Sequence, residues 1–135
     1  MADKVLVACA SKYGATQEIA ERIGGVLKEA GLEVQVRDVE GVQGLDPYQG
    51  VVLGSAVYAG NWRKEAAEFL KANEQVLAQL PVWLFSSGPT GEGDPVELMQ
   101  GWRFPEALQA TADRIGPRQI AFFGGELDLE KLNLP

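Results

Sequence analysis

The 135-residue sequence has no histidine and a single cysteine. Without histidine it lacks the commonest metal ligand and the usual general base. One cysteine leaves no Cys/His set for a tetrahedral zinc site and no partner for an internal disulfide. That cysteine, Cys9, lies inside an apolar run, where a thiol packs rather than reacts. No apolar stretch reaches the ~18 residues of a membrane span, and no basic segment leads into an apolar one as in a secretory signal. Together these point to the cytoplasm, or to a membrane periphery if the full-length protein is longer. Basic residues are also scarce, 12 against 19 acidic ones, for a net charge of −7. Nucleic-acid binding needs the opposite balance. An acidic surface serves solubility and is compatible with a basic protein partner. The length suits one domain around one core.

What is present is concentrated in residues 5–16. Val5 to Ala10 is an apolar run that stops at Ser11-Lys12-Tyr13-Gly14-Ala15-Thr16. A helical pattern then begins, with Ile19, Ile23, Leu27 and Ala30 at spacings of four, four and three. This is a buried strand feeding a helix through a tight turn. A helix start carries unpartnered N–H groups and the positive end of the macrodipole, so it attracts phosphate. Ser11 and Thr16 add hydroxyls and Gly14 permits close approach. The plainer reading of the same turn is an ordinary connection capped by Thr16. Neither the nucleotide P-loop spacing nor G-x-G-x-x-G is present.

Gly31 marks the end of the first helix, and Leu32 to Val39 alternates as a half-wet edge strand. Residues 40–49 read as a loop. Gly50 to Val57 is a continuous apolar run, expected as a central parallel strand. A helix is expected over 63–80, its apolar stripe formed by Trp62, Ala66, Phe69, Leu70, Leu77 and Leu80, with Pro81 as its stop. Val82 to Ser87 is another buried strand. A long loop follows over 88–101, then a helix over about 104–115 ended by Gly116-Pro117, and a last strand around Ile120 to Phe123. Alternating strands and helices predict a parallel sheet with right-handed crossovers. Residues 1–125 form the expected domain and 126–135 a leucine-containing tail. A helix after the last strand is the usual finish, and the chain stops short of one. Either the natural protein is longer or a second chain covers that face, as in a homodimer.

Ligands of open parallel sheets sit beyond the carboxyl ends of the strands. Three loops meet there: 11–16, 55–62 and 86–94. They supply small, hydroxylic or aromatic residues (Ser11, Tyr13, Thr16, Ser55, Tyr58, Ser86, Ser87, Thr90). Tyr58 is the better stacking candidate, because Trp62 falls on the apolar stripe and reads as core.

Ser11, Gly14 and Thr16, directly after the first strand, resemble the phosphate loop of the flavodoxin-like FMN-binding family. The resemblance runs from Lys4 to about Phe123. It implies an open doubly wound α/β fold with five parallel strands in the order 2-1-3-4-5, from which this sequence departs in lacking the expected final helix. Gly54-Ser55-Ala56-Val57-Tyr58-Ala59-Gly60 is most similar to the second flavin loop of the branch containing quinone-dependent protoporphyrinogen dehydrogenase. The resemblance implies that Ser11, Lys12, Tyr13, Gly14, Ala15 and Thr16 hold the flavin phosphate. It implies that Ser55, Ala56, Val57, Tyr58, Ala59 and Gly60 contact the ring near its redox-active nitrogen, and that Ser87, Gly88, Pro89, Thr90 and Gly91 line its pyrimidine side. The third loop has no aromatic, which leaves one flavin face open, and the branch's basic C-terminal region is missing. No catalytic side chain stands out. Three functions follow: an FMN oxidoreductase passing electrons to a quinone, an FMN electron carrier with a redox partner protein, or a flavin-free interaction domain.

Overall fold

In the computed structural model, residues 4–10, 15–42, 44–45, 47–58, 61–87 and 108–123 are described. Strand β1 (Lys4–Ala10) leads into helix α1 (Ala15–Glu29), which is followed by β2 (Glu33–Asp38) and a single 3-10 turn at 39–41. Next come β3 (Gly50–Tyr58), the two-residue β4 (Asn61–Trp62), α2 (Lys64–Ala72), α3 (Glu74–Leu77), β5 (Val82–Ser87), α4 (Gln109–Ile115) and β6 (Gln119–Phe123). The sheet runs β2-β1-β3-β5-β6, every one of these neighbours parallel. Counting the parallel strands alone, this is the expected order 2-1-3-4-5. The stretch where a final helix would fall, 124–135, lies outside the described residues.

The apolar runs earn their central places. Successive side chains of a strand point to opposite faces, so a strand covered on both sides must be apolar throughout. Leu6, Ala8, Val51, Leu53, Val57 and Leu84 pack on one face with Ala66, Leu70, Leu77 and Ile115 of α2, α3 and α4. Val7, Cys9, Val52 and Phe85 pack on the other with Ile19, Ile23 and Leu27 of α1. Gly54 faces this second side, where a Cβ would overlap the ring of Phe85. Only glycine leaves room for that ring beside the strand.

Helix α1 ends as its sequence predicts. Gly31 has φ 94°, its N–H reaches the Lys28 carbonyl at 3.0 Å, and the Leu32 N–H reaches the Leu27 carbonyl at 3.1 Å. This is a Schellman close. The helix expected over 63–80 is instead broken at Asn73. The Asn73 amide nitrogen and its backbone N–H both donate to the Phe69 carbonyl, at 2.9 and 3.1 Å. The side chain thus competes for a helical acceptor, and α3 starts afresh at Glu74. Of the helix expected over 104–115, residues 108–115 fall within the described part, and Gln109–Ile115 of these form α4. The loop after β2 is tied down: Leu45 and Tyr48 are buried, and the Tyr48 hydroxyl donates to Gln35 Oε1 at 2.6 Å.

Candidate functional site at the carboxyl edge of the sheet

The parallel register brings the three central strand ends level. Ala10 pairs with Ser55, Ser55 with Ser86, and Ala56 with Ser87. At a strand spacing of ~4.8 Å, Ala10 and Ser86 are ~10 Å apart across the row. The connections 11–14, 59–60 and 88–107 all leave from this edge. Helix α1 begins here too, so its amino end faces the edge.

Thr16 sits in the first turn of α1 and is 1% exposed. Glu18, in the same turn, is exposed and complements the helix dipole. Strand parity separates the serines. Ser55 and Ser86 share the α2 face and are fully buried, whereas Ser87 faces the α1 side and is buried. The Ser55 hydroxyl accepts the Arg63 N–H at 2.9 Å and donates to the Ala56 carbonyl at 2.8 Å. It therefore ties the residue that precedes α2 back to β3. The Ser86 hydroxyl accepts the Trp62 indole N–H at 2.8 Å. Trp62 is buried in the core, as its place in the apolar stripe suggested, but it belongs to β4 rather than to a helix start. Val57 is buried and Ala56 half-buried beside it. Tyr58 ends β3. Ser11, Lys12, Tyr13, Gly14, Ala59, Gly60, Gly88, Pro89, Thr90 and Gly91 lie outside the described residues, and Ala15 is placed only as the first residue of α1.

The row Ala10, Ser55 and Ser86 is neutral, and Arg37 and Asp38 end the outer strand β2. Cys9, one residue below that row, is buried, and burial pushes its thiol up to about 11, with the charges of Asp38 and Glu21 adding to the effect. It is no nucleophile at neutral pH. Arg63 is occupied by Glu65, with Nη2 to Oε2 at 3.0 Å. Glu65 is held below the ordinary carboxyl value chiefly by a backbone hydrogen bond and then by Arg63. Among the described residues no group of three His, Cys, Asp or Glu is placed to hold a metal. A cleft of about 330 Å³ lies at the opposite, amino edge, between Val5, Leu27, Gly50, Trp83 and Arg118. Ser86 is the residue that pattern reading undervalued. Its signal was a hydroxyl on the buried face of an otherwise apolar strand, which needs a partner.

An open parallel sheet in this order, with its loops and a helix start gathered at the carboxyl edge, defines the doubly wound class to which flavodoxin itself belongs. The profile of the family described as Flavodoxin domain matches residues 6–135, and the chain belongs to that family. It is 28% identical over 85 residues to protoporphyrinogen IX dehydrogenase [quinone] of Escherichia coli, an alignment covering 62% of this chain and 47% of that protein. The chain thus spans about half the length of the curated relatives it matches. A short-chain flavodoxin associated with a non-canonical PDU bacterial microcompartment superimposes with TM-score 0.70 at 15% identity, over 98% of this chain and 93% of that one. A mutant Fusobacterium nucleatum flavodoxin bound to flavin mononucleotide gives 0.56 at 16% identity, over 90% and 68%. No helix among the described residues is long and apolar enough to cross a membrane.

Proposed function

We propose that this protein binds FMN at the carboxyl edge of its sheet and passes electrons through it. The observation that carries the reading is the level row Ala10, Ser55, Ser86, with the amino end of α1 at the same edge. The donor set fits the group. A 15-residue helix offers unpaired N–H groups to a phosphate, and a buried threonine sits in its first turn. The row Ala10, Ser55 and Ser86 carries no charged side chain, and the charged strand end, Arg37-Asp38, belongs to the outer strand β2. In this reading Ser11, Lys12, Tyr13, Gly14, Ala15 and Thr16 hold the phosphate, Ser55 to Gly60 meet the ring edge, and Ser87 to Gly91 line the other side. Bound FMN supplies the redox chemistry. The chain binds it, orients it and sets the polarity around it.

The test is a visible absorption and fluorescence titration of the purified protein with FMN. Quenched flavin fluorescence at a one-to-one ratio is expected. Unquenched flavin at saturating protein overturns the reading and leaves an interaction domain.

A second, finer reading is a quinone-linked dehydrogenase acting on protoporphyrinogen. The second loop, Gly54 to Gly60, and the Escherichia coli relative favour it. Turnover of protoporphyrinogen with a quinone by the flavin-loaded protein supports it. Electron exchange with a redox protein and no such turnover favours the carrier.

A further inference from the structure

We propose that Trp62 and Ser86 are positioning residues that tie the end of β3 to the end of β5, an inference that rests on the flavin reading above. Strand β4 folds back on β3 through just two pairs, Val57 with Trp62 and Tyr58 with Asn61. A hairpin that short is not stable by itself. Two hydrogen bonds hold it, one part-buried and one buried. The Arg63 N–H, one residue beyond β4, is fixed to Ser55 on the strand the hairpin folds against. The Trp62 indole N–H is fixed to Ser86 on the neighbouring strand β5.

The two anchors are themselves register partners, Ser55 beside Ser86. The return arm of the hairpin is therefore pinned at two points of one row. Trp62 is 5% exposed and the bond is buried, so its indole N–H has almost no water to turn to and is satisfied by this acceptor. Ser86 directly precedes Ser87, from which the next connection departs. A shift of β4 is thereby transmitted to the end of β5, and the last residues of β3 and β5 keep one spacing. The bond touches neither the phosphate end of the site nor the reacting atoms. Its effect on a flavin is indirect, through the backbone of Val57, Tyr58 and Ser87.

Oxidised and reduced flavin differ in ring shape and in the protonation of the ring edge. A loosened pair of segments should therefore change their affinities by different factors. The full chain is titrated with oxidised and with reduced FMN as wild type, Ser86→Ala, Trp62→Phe and the double variant, each checked for folding by far-ultraviolet circular dichroism. The double variant removes donor and acceptor together, so it leaves no buried donor orphaned and keeps the test valid if Ser86→Ala alone unfolds. We expect the double variant to lose about tenfold in affinity for one redox form and at least threefold less for the other, so that the flavin potential moves. The single variants should be no better than the double. A folded double variant that binds both forms as wild type does, or loses both by the same factor, overturns the inference alone. Wild-type protein that binds no FMN overturns the flavin reading and this inference with it.

Discussion

The two faces of the sheet are held in different ways. Toward α1 the contacts described are aliphatic, aromatic and sulfur: Val7, Cys9, Val52 and Phe85 against Ile19, Ile23 and Leu27. The fit there depends on volume, to the point that Gly54 must lack a side chain for Phe85 to lie over it. Toward α2 and α4 the apolar core is interrupted near the carboxyl edge by addressed bonds, Trp62 to Ser86 and Arg63 to Ser55. One face is matched by shape and the other by direction. Shape tolerates small slides, whereas a buried hydrogen bond fixes register and is costly to leave unmade. The directed bonds occur at the edge where the chain must hold loops in place.

Substitutions can break or sharpen this contrast. The largest effect is expected at Phe85, which is fully buried. Phe85→Ala should cost ~3–5 kcal/mol in urea unfolding, by lost transfer and cavity together. Gly54→Ala forces the same contact from the other side and should cost ~1–3 kcal/mol by overpacking. Combining Gly54→Ala with Phe85→Leu should recover part of that loss, and an additive double variant would show that the two do not share one space. Thr16→Ala, at the start of α1, should weaken FMN by ~1 kcal/mol or more, the scale of a hydrogen bond to a charged group. A titration with unchanged affinity removes Thr16 from the site.

Cys9 tests the same face by pH. Its folded thiol is raised from 9.0 to about 11, so above the unfolded value the unfolded chain loses a proton that the folded chain keeps. Its contribution to stability is full below about 9 and falls as pH rises through about 11. Urea midpoints of wild type and Cys9→Ala should converge over that window, and a parallel offset would mean that the thiol does not titrate differently on folding. The smallest effect belongs to the exposed pair Arg114–Glu74, 2.8 Å apart, joining α4 to α3. The Arg114 hydrogen bond holds the Glu74 carboxyl below its ordinary value. The pair's contribution is present above the unfolded carboxyl value and lost as pH falls through the lowered one. High salt should erase the difference in melting temperature between wild type and Glu74→Gln.

The layered plan was legible because long apolar runs cannot hide. Val5 to Ala10, Gly50 to Val57 and Val82 to Ser87 had to be buried strands, and Gly31 had to end a helix. The break at Asn73 was not legible. Periodicity runs through it, and only the side chain's bond to Phe69 reveals the competition. Strand β4 was missed because two residues carry no period. Among the site residues, the hydroxyls of the edge were identifiable as a set. Their division between faces depends on strand parity. The pairing of Trp62 with Ser86 crosses 24 positions of sequence.

The place of β1 inside the sheet has a consequence for how the chain comes to be folded. Strand β1 has β2 on one side and β3 on the other, and the Lys4 backbone N–H bonds to Gln49 Oε1 while the Gln49 N–H bonds to the Lys4 carbonyl, both at 2.7 Å. Closing that second side joins residues 45 positions apart, and loop closure of that length must precede any reward from pairing. Before β3 has been made, the apolar run Leu6 to Ala10 has β2 alone to pair with. In that interval the nascent chain is at its most prone to self-association, so slow translation ahead of β3 is the point at which a chaperone would matter most.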